Sequence, residues 1–329
     1  MYTYLGSVTL RTGEQMELGV VRCPDPSWGA QVKPLLGHKS RETHFHFDSA
    51  FDGPLDDLET RFYLGTIGGL AVTNVMIVGA RGVGILGHVY TRPEHRQKGA
   101  YRHLMAAQMA DCQRQGFRAL TLGTGFETHP YRIYESFGFR SIDGKSGKMW
   151  WFAEPDFQGH WLAPAETTVR PMQWGDWAAL TLLGFQPDVP GEPLPRSWTF
   201  RIKGQGGGAE SAFQAMQRNL SRGARISAFS LRSERGAVAG WAVLQPDDLA
   251  FGDGYLLDLY VHPAFQQDAP KLLAAMPWPD HARVAAYTTD PDTYRYVALL
   301  AAGFKECAVL KGWLGSGSIA NDLRILVRE

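Results

Sequence analysis

The chain has 329 residues, of which 44% are hydrophobic and 20% are charged, and this composition is ordinary for a globular protein. Lysine plus arginine and aspartate plus glutamate number 33 each, so no net positive charge is present to hold nucleic acid or an anionic membrane surface. The length predicts two domains.

The chain begins without the basic and apolar regions of a signal peptide, and no apolar run has the length of a membrane span. The three cysteines, Cys23, Cys112 and Cys307, are too far apart for a zinc pattern or a disulfide framework. Free cysteines are typical of a reducing compartment, so we expect a cytoplasmic protein.

Strand-like runs separated by glycine turns precede residue 92. Gly68-Gly69 and a turn ending at Gly82 separate three such runs, which predicts a β-meander. The predicted elements of the first half are strands over 61–67, 71–78 and up to Thr91, a helix over 100–115, a strand over 119–122, a helix over 130–137 and a strand over 149–152.

After a connecting segment over 158–165 the same layout repeats, which predicts two similar units, 1–160 and 161–329. In each unit a helix ends on Gly-Phe, at Gly138-Phe139 and at Gly303-Phe304. We interpret the glycine cluster Gly204–Gly208 as a connecting loop or a moving lid. The predicted elements of the second half are strands over 167–170, 225–231, 237–244, 255–261 and 283–287, and helices over 174–183, 263–276 and 293–302.

A basic turn and Gly99 stand between the third strand and the first long helix. The first N–H groups of a helix have no intrahelical acceptor, and the helix dipole places partial positive charge beside them. Such an end favours an anion, most often a phosphate, and Arg96, Lys98 and Arg102 add positive charge. The alternative is a solvated basic loop without a ligand.

The residues of this turn and of the second helix resemble the GNAT superfamily of acyl-CoA-dependent N-acyltransferases. Arg96-Gln-Lys-Gly99-Ala-Tyr101, which follows Thr91-Arg-Pro93, is similar to the phosphate turn of that family. Tyr134-Glu-Ser-Phe-Gly138-Phe139 is similar to its second motif, and the order of the two motifs also agrees. The likeness covers residues 15–155 well and 166–329 in outline.

This resemblance implies an α/β fold of two tandem units, each a mixed sheet flanked by helices. It also implies an N-acetyltransferase that moves an acetyl group from acetyl-CoA to a primary amine by direct attack in a ternary complex. The acceptor we expect is a small-molecule amine, with no nucleic acid or membrane partner. The residues implied to bind acetyl-CoA are Val89, Thr91, Arg96, Gln97, Lys98, Gly99, Ala100, Tyr101 and Arg102.

The same resemblance implies catalytic roles near the second motif. Tyr134 would protonate the departing thiolate. Because an alkyl amine has a pKa of about 10.4, a base or a water relay should remove its proton before attack. Glu127 and His129 precede the tyrosine helix and are the candidates for this base, with Glu127 first.

The second unit departs further from the family pattern. Aligning Pro263 with Pro93 places Ala269 at the Gly99 position, Asp268 beside the phosphates and Pro270, which has no N–H, in the turn. In the same alignment Gln266 takes the Arg96 position and Lys271 the Tyr101 position, and aligning Gly303-Phe304 with Gly138-Phe139 places Leu299 at the Tyr134 position. We interpret this unit as degenerate and unable to bind CoA.

Several patterns have a simpler interpretation. Tyr134 could be a core residue, and Trp150, Trp151 and Tyr131 could pack in the core rather than line an acceptor pocket. His44-Phe-His46-Phe-Asp48 would align three polar side chains on one strand face, as a metal site or an exposed face. At the level of the whole chain, the alternatives are a non-catalytic acyl-CoA sensor or scaffold and a nucleotide-binding domain.

Overall fold

The computed structural model describes residues 1–186, 197, 199, 208–247, 254–290, 292–314 and 320–329. The chain divides into two compact units, residues 1–157 with 173–185 and residues 158–172 with 186–329. This division differs from a single boundary after residue 160, because the segment 173–185 belongs to the first unit. The predicted glycine loop lies outside the described residues except for Gly208, where a helix begins.

The first unit is built on an eight-stranded mixed sheet. Its neighbours pair in antiparallel fashion except for one parallel pair, β5 and β6, and the sheet order is β1-β2-β3-β4-β5-β6-β8-β7. These strands are β1 (Tyr2–Thr9), β2 (Gln15–Arg22), β3 (Glu59–Ile67), β4 (Leu70–Ala80), β5 (Val83–Thr91), β6 (Ala119–Gly123), β7 (Arg140–Ser141) and β8 (Lys148–Phe152).

The predicted meander corresponds to β3, β4 and β5, and two tight turns connect these strands. Gly68 and Gly69 have φ angles of 56° and 78°, and Arg81 and Gly82 have φ angles of 53° and 80°. Positive φ at both central residues is the geometry of a type I′ hairpin turn, whose twist matches that of the flanking strands. Glycine is favoured there because it adopts positive φ without steric cost.

Helices flank this sheet, and the two that carry the motifs lie where the sequence predicts them. They are α3, which the left-handed Gly116 (φ 75°) follows, and α4, which begins beside Pro130. The helices up to residue 185 are α1 (Pro26–Leu35), α2 (Arg41–Asp52), α3 (Ala100–Arg114), α4 (His129–Ser136), α5 (Phe157–Trp161) and α6 (Trp177–Gly184).

Two elements correct the sequence prediction. The run from His44 to Asp48 is part of α2 and not a strand, so its alternate residues do not share one face. Ser40 caps this helix, and its hydroxyl accepts a hydrogen bond from the backbone N–H of Thr43. Helix α6, predicted within the second half, belongs to the first unit, where it packs against β4, β5 and β6.

The second unit is built on a seven-stranded mixed sheet of order β14-β15-β13-β12-β11-β10-β9, with one parallel pair, β12 and β13. Its strands are β9 (Thr167–Pro171), β10 (Ser227–Ser233), β11 (Val238–Pro246), β12 (Tyr255–Val261), β13 (Val284–Thr289), β14 (Lys305–Leu314) and β15 (Asn321–Arg328). Its helices are α7 (Gly208–Ser221), α8 (Ala269–Ala274) and α9 (Thr293–Ala301). Two mixed sheets flanked by helices confirm the predicted fold class.

Among the helices that the structure describes, none combines the length and the hydropathy that a membrane crossing requires.

Candidate active site

The two parallel strands of the first sheet pair over only three residues. Residues 83–85 of β5 lie against residues 119–121 of β6, although β5 continues to Thr91 and β6 to Gly123. Within the described part of the chain, no pairing continues beyond Ile85 and Thr121. The strands therefore leave an edge of β5 available where the chain approaches the phosphate turn.

A β-bulge in β5 accompanies this separation. Asn74 lies opposite Tyr90 and Met76 lies opposite Gly87, so one residue of β4 faces two residues of β5, His88 and Val89. His88 has a left-handed φ of 51°. The Asn74 side-chain amide donates a hydrogen bond to the His88 carbonyl oxygen at 2.8 Å, which holds the bulge from the neighbouring strand.

The phosphate turn leads into α3 through left-handed backbone. Gln97 has a φ of 62°, and Gly99, the N-cap residue of α3, has a φ of 89°. The N–H groups of Ala100, Tyr101 and Arg102 have no intrahelical acceptor because they belong to the first turn. A β-carbon on Gly99 would lie at van der Waals distance, 3.8 Å, from the Arg11 Nε and from the His103 ring, so these two side chains border this helix end. The turn therefore fits a phosphate group.

The basic side chains of the turn differ in their partners. Arg96 is exposed, and its Nε donates to the Thr91 carbonyl oxygen at 3.0 Å. Arg102 is also exposed, with its guanidinium 5.7 Å from the centre of the Phe137 ring.

Lys98 forms an ion pair with Glu14 at 2.8 Å, and this hydrogen bond lowers the pKa of the Glu14 carboxyl. The positive charge predicted at Lys98 is therefore offset by a carboxylate that is distant in the sequence.

Tyr101, the last residue of the turn motif that begins at Arg96, packs its side chain against α4. It lies inside α3, and its ring meets the Tyr134 ring edge-on with centroids 6.3 Å apart. Its hydroxyl lies 3.7 Å from the Met105 sulfur. The side chain thus packs toward α4, and only the backbone N–H of Tyr101 remains for an anion.

Tyr134 is 6% exposed and belongs to the core of the first unit. Burial raises the pKa of its phenol, and a hydrogen bond with Tyr101 offsets part of that increase. The phenol is therefore neutral at physiological pH and carries a proton that it could donate. Tyr134 can therefore be both a core residue and a proton donor.

The two candidate bases lie on the surface beside α4. Glu127 has a left-handed φ of 56°, a 61% exposed side chain and an ion pair with Arg132 at 3.4 Å. His129 is the first residue of α4 and is exposed. Thr128, and not His129, is the N-cap residue of this helix.

The histidines of α2 lie near the bulge. His46 is fully buried, and its Nε2 lies 3.1 Å from the Thr60 hydroxyl. Desolvation lowers the pKa of His46 to about 3, so this ring is neutral. On the same helix, the Phe47 ring meets the His88 ring edge-on at 5.2 Å. The described residues contain no group of three or more His, Cys, Asp or Glu side chains arranged to hold a metal ion.

The remaining aromatic candidates pack inside the first unit. Tyr131 and Trp151 are 6% and 8% exposed and belong to its core, whereas Trp150 is half-buried. The run Gly82-Val-Gly84-Ile-Leu-Gly87 matches the dinucleotide-binding pattern G-x-G-x-x-G, but it forms a hairpin turn and strand β5, not a turn into a helix.

The second unit arranges the corresponding residues differently. Its parallel strands also pair over three residues, 255–257 with 284–286. The backbone N–H of Val261, which stands two residues before the turn proline, donates to the hydroxyl of the half-buried Tyr294 at 3.1 Å. Asp268 forms an ion pair with Lys271 at 2.9 Å.

A family model matches the chain where these features lie. Residues 74–142 match the GNAT acetyltransferase domain. The first unit contains a GNAT domain. The match runs from Asn74 in β4 through the phosphate turn and α3 to the residues after α4. GNAT domains of this kind transfer acetyl groups from acetyl-CoA, so the protein is an acyltransferase with acetyl-CoA as its cosubstrate.

No curated protein matches the chain. Solved structures that resemble the chain include yncA of Salmonella typhimurium with its cofactor acetyl-CoA, at 17% identity over 50% of this chain and 94% of that one, with a TM-score of 0.38. The ribosomal-protein-alanine N-acetyltransferase of Brucella melitensis matches at 17% identity over 49% and 98%, with a TM-score of 0.37. The spermidine N-acetyltransferase of Vibrio cholerae, in complex with CoA and spermine, matches at 10% identity over 49% and 94%, with a TM-score of 0.32.

Proposed function

We propose that the GNAT domain transfers the acetyl group of acetyl-CoA to a primary amine of a small-molecule acceptor, by direct attack in a ternary complex. The observation that carries this proposal is the separation of β5 from β6 just before the phosphate turn. An exposed strand edge can pair with an extended, amide-containing arm, and a helix N-terminus can hold the diphosphate at the end of that arm.

Backbone groups would hold the cosubstrate, which supplies an acetyl thioester when bound. The edge of β5 from Val89 to Thr91 would pair with the pantetheine arm, and the N–H groups from Gln97 to Arg102 would bind the diphosphate. The Val89 N–H, fixed by the bulge, would donate to the thioester carbonyl oxygen as negative charge develops there. Gly99 supports this arrangement because its left-handed φ of 89° at the N-cap of α3 is a conformation that glycine adopts without steric cost.

Tyr134 would supply the proton that the leaving thiolate needs. A thiol has a pKa of about 8.5, so a neutral phenol at hydrogen-bond distance can stabilise the thiolate as it departs. Burial of Tyr134 raises its pKa and keeps it neutral over the working pH range. The ring of Tyr101 packs against it and fixes its position.

Glu127 or His129 would accept the proton of the acceptor ammonium, directly or through water. Glu127 is exposed beside α4 and forms an ion pair with Arg132 at 3.4 Å. Glu127→Gln and His129→Gln each remove one candidate, and the pH profile of kcat distinguishes them. The base variant should lose the acid limb of that profile, and the other variant should retain it. If both variants retain the acid limb, the proton is removed by water or by a third group.

We also propose that the second unit binds no CoA and serves a structural role. Its backbone N–H at Val261 is already bonded to Tyr294, and Asp268 would place negative charge next to phosphates. Pro270 has no N–H to donate in the first turn of α8.

The test combines titration with acetyl-CoA and a CoA-release assay over a panel of amines. We expect saturable binding and release of CoA that depends on one class of amine. Tyr134→Phe should lower kcat by about 10² to 10⁴-fold with little change in the Kd for acetyl-CoA. Acetyl-CoA binding without CoA release for any amine, together with the same binding and the same lack of release in Tyr134→Phe, would instead favour an acyl-CoA sensor. Protection by ATP or NAD rather than by CoA would favour a nucleotide-binding domain.

A further inference from the structure

The hairpin turn between β1 and β2 packs against the phosphate turn. The backbone N–H of Arg11 donates to the Lys98 carbonyl oxygen at 3.2 Å. Glu14, on the other side of the same hairpin turn, pairs with the Lys98 ammonium at 2.8 Å. Two contacts therefore fix this hairpin turn beside Gly99, although about 85 residues of chain separate the two segments.

Arg11 places a guanidinium at the edge of the phosphate turn. Its Nε lies 3.8 Å from the position that a β-carbon on Gly99 would occupy. The Arg11 side chain is exposed, and within the described residues it forms no ion pair or hydrogen bond. It is therefore a cation with donors available next to the N–H groups of α3.

The other cations of the turn are more constrained than Arg11. Glu14 offsets the charge of Lys98, and Arg96 donates to a carbonyl oxygen of its own loop. Arg102 lies over the Phe137 ring and contacts the Ser136 hydroxyl at 3.5 Å. A planar guanidinium with free donors matches two phosphate oxygens at once, which a lysine ammonium does not.

We infer that Arg11 binds a phosphate group of acetyl-CoA and supplies the charge that Lys98 does not. This inference rests on the proposed function, because it assigns the phosphates to the turn at Gly99. The hairpin turn before β2 thus becomes part of the cosubstrate site, although it lies outside the stretch, 74–142, that matches the GNAT domain.

The test measures acetyl-CoA binding to the full-length protein by calorimetry, with Arg11→Gln as the variant. We expect the Kd to rise about ten- to hundredfold, the loss typical of a hydrogen bond to a charged group. Arg11→Lys should retain part of the affinity. Arg235→Gln is the matched control, since Arg235 is an exposed arginine between β10 and β11 and should leave the Kd unchanged.

Salt and ligand variation locate the contact. The salt dependence of binding should be shallower for Arg11→Gln, because one cation no longer pairs with a phosphate. If removal of the 3′-phosphate from acetyl-CoA abolishes the difference between wild type and Arg11→Gln, the contact is to that phosphate. If the difference persists, the contact is to the diphosphate. Arg11 binds a phosphate in both cases.

The outcomes separate this inference from the proposed function. Wild-type protein that fails to bind acetyl-CoA would contradict the proposed function itself. Wild-type protein that binds, together with an Arg11→Gln variant that binds equally well at low salt, would overturn only the role of Arg11. Equal unfolding midpoints for wild type and variant would show that any loss of affinity is not a loss of fold.

Discussion

The side-chain amide of Asn74 donates to the backbone carbonyl of His88 at 2.8 Å, across the strand pair that carries the bulge. Asn74 is fully buried, and a buried polar side chain requires a hydrogen-bond partner. The partner is the backbone carbonyl of His88. This residue has a left-handed φ and lies in the bulge, where the regular hydrogen-bond pattern between β4 and β5 is interrupted. Asn74 thus stabilises the β5 edge on which the proposed acetyl-CoA site depends.

Replacing Asn74 by alanine should impair both the fold and the site. The partly buried carbonyl of His88 would lose its donor, and leaving such a group unsatisfied costs up to about 1–3 kcal/mol of unfolding free energy. We also expect a higher KM for acetyl-CoA, because the bulge would no longer fix Val89. Denaturant unfolding and steady-state kinetics measure the two effects separately.

Thr121→Val is the matched control for Asn74→Ala. Its hydroxyl is also buried and donates to a backbone carbonyl, that of Gly84, but in the region where β5 and β6 still pair. This variant should lose stability with little change in KM. An increase in KM of similar size in both variants would show that the effect of Asn74 is general destabilisation.

Local signals explain which parts of this site could be predicted from the sequence. Gly99 at the start of α3 and the glycines of the hairpin turns act on their own backbone, so their effects could be inferred without a structure. The left-handed φ at Gly99 and the bounds of α4 agree with those signals. The alternating polar and aromatic residues from His44 to Asp48 do not specify a strand, because such a run also fits a helix. Ser40, a residue type favoured at the N-cap, is the local signal for the helix.

Partners that are distant in the chain explain the rest. The ion pair between Glu14 and Lys98 joins segments 84 residues apart, and no local pattern marks either residue. Helix α6 follows β9 in sequence but packs in the first unit. Its residues are almost all apolar, so its sequence does not indicate which sheet it packs against. The bulge at His88 has one sequence signal, the polar pair Thr73-Asn74 within an otherwise apolar strand, and this signal can be interpreted only once the strand register is known.

Lys98 and Glu14 should affect acetyl-CoA binding as a pair. Lys98→Gln alone leaves the Glu14 carboxylate uncompensated beside the phosphates, and we expect about two- to fivefold weaker binding at low salt. The double variant Glu14→Gln/Lys98→Gln removes both charges and should bind within about twofold of wild type. Calorimetry at two salt concentrations measures both. A double variant as weak as Lys98→Gln would mean that Lys98 contacts a phosphate directly.

His46 should make the protein less stable in acid. Its pKa is about 3 in the folded state and about 6.5 in an unfolded chain, so between these values the unfolded state binds more protons. The free energy of unfolding should therefore fall as the pH decreases from about 6.5, by up to about 1.4 kcal/mol per pH unit.

Comparing variants isolates the contribution of His46. His46→Gln removes the titration and should flatten the dependence of unfolding free energy on pH between about 4 and 6.5. His44→Gln, on the same helix but half-buried, is the control and should keep the wild-type slope. Identical slopes in all three proteins would mean that His46 is protonated in the folded state or accessible to water.

Two glutamines at equivalent positions test whether one unit or both bind acetyl-CoA. Gln97 lies in the phosphate turn of the first unit, and Gln267 lies in the corresponding turn of the second when Pro93 and Pro263 are aligned. Both side chains are exposed, and a change to glutamate keeps their shape while adding one negative charge. Neither change should disturb folding.

Gln97→Glu should raise the Kd for acetyl-CoA by about tenfold or more, because a carboxylate would then face the diphosphate. Gln267→Glu should leave the Kd unchanged, since Tyr294 already bonds the Val261 N–H and Asp268 already carries a negative charge in that unit. Calorimetry at low salt gives the Kd and the number of sites. Two binding sites per chain, or an equal loss of affinity in both variants, would refute a degenerate second unit. An unchanged affinity in Gln97→Glu would mean that the phosphates do not bind near Gly99.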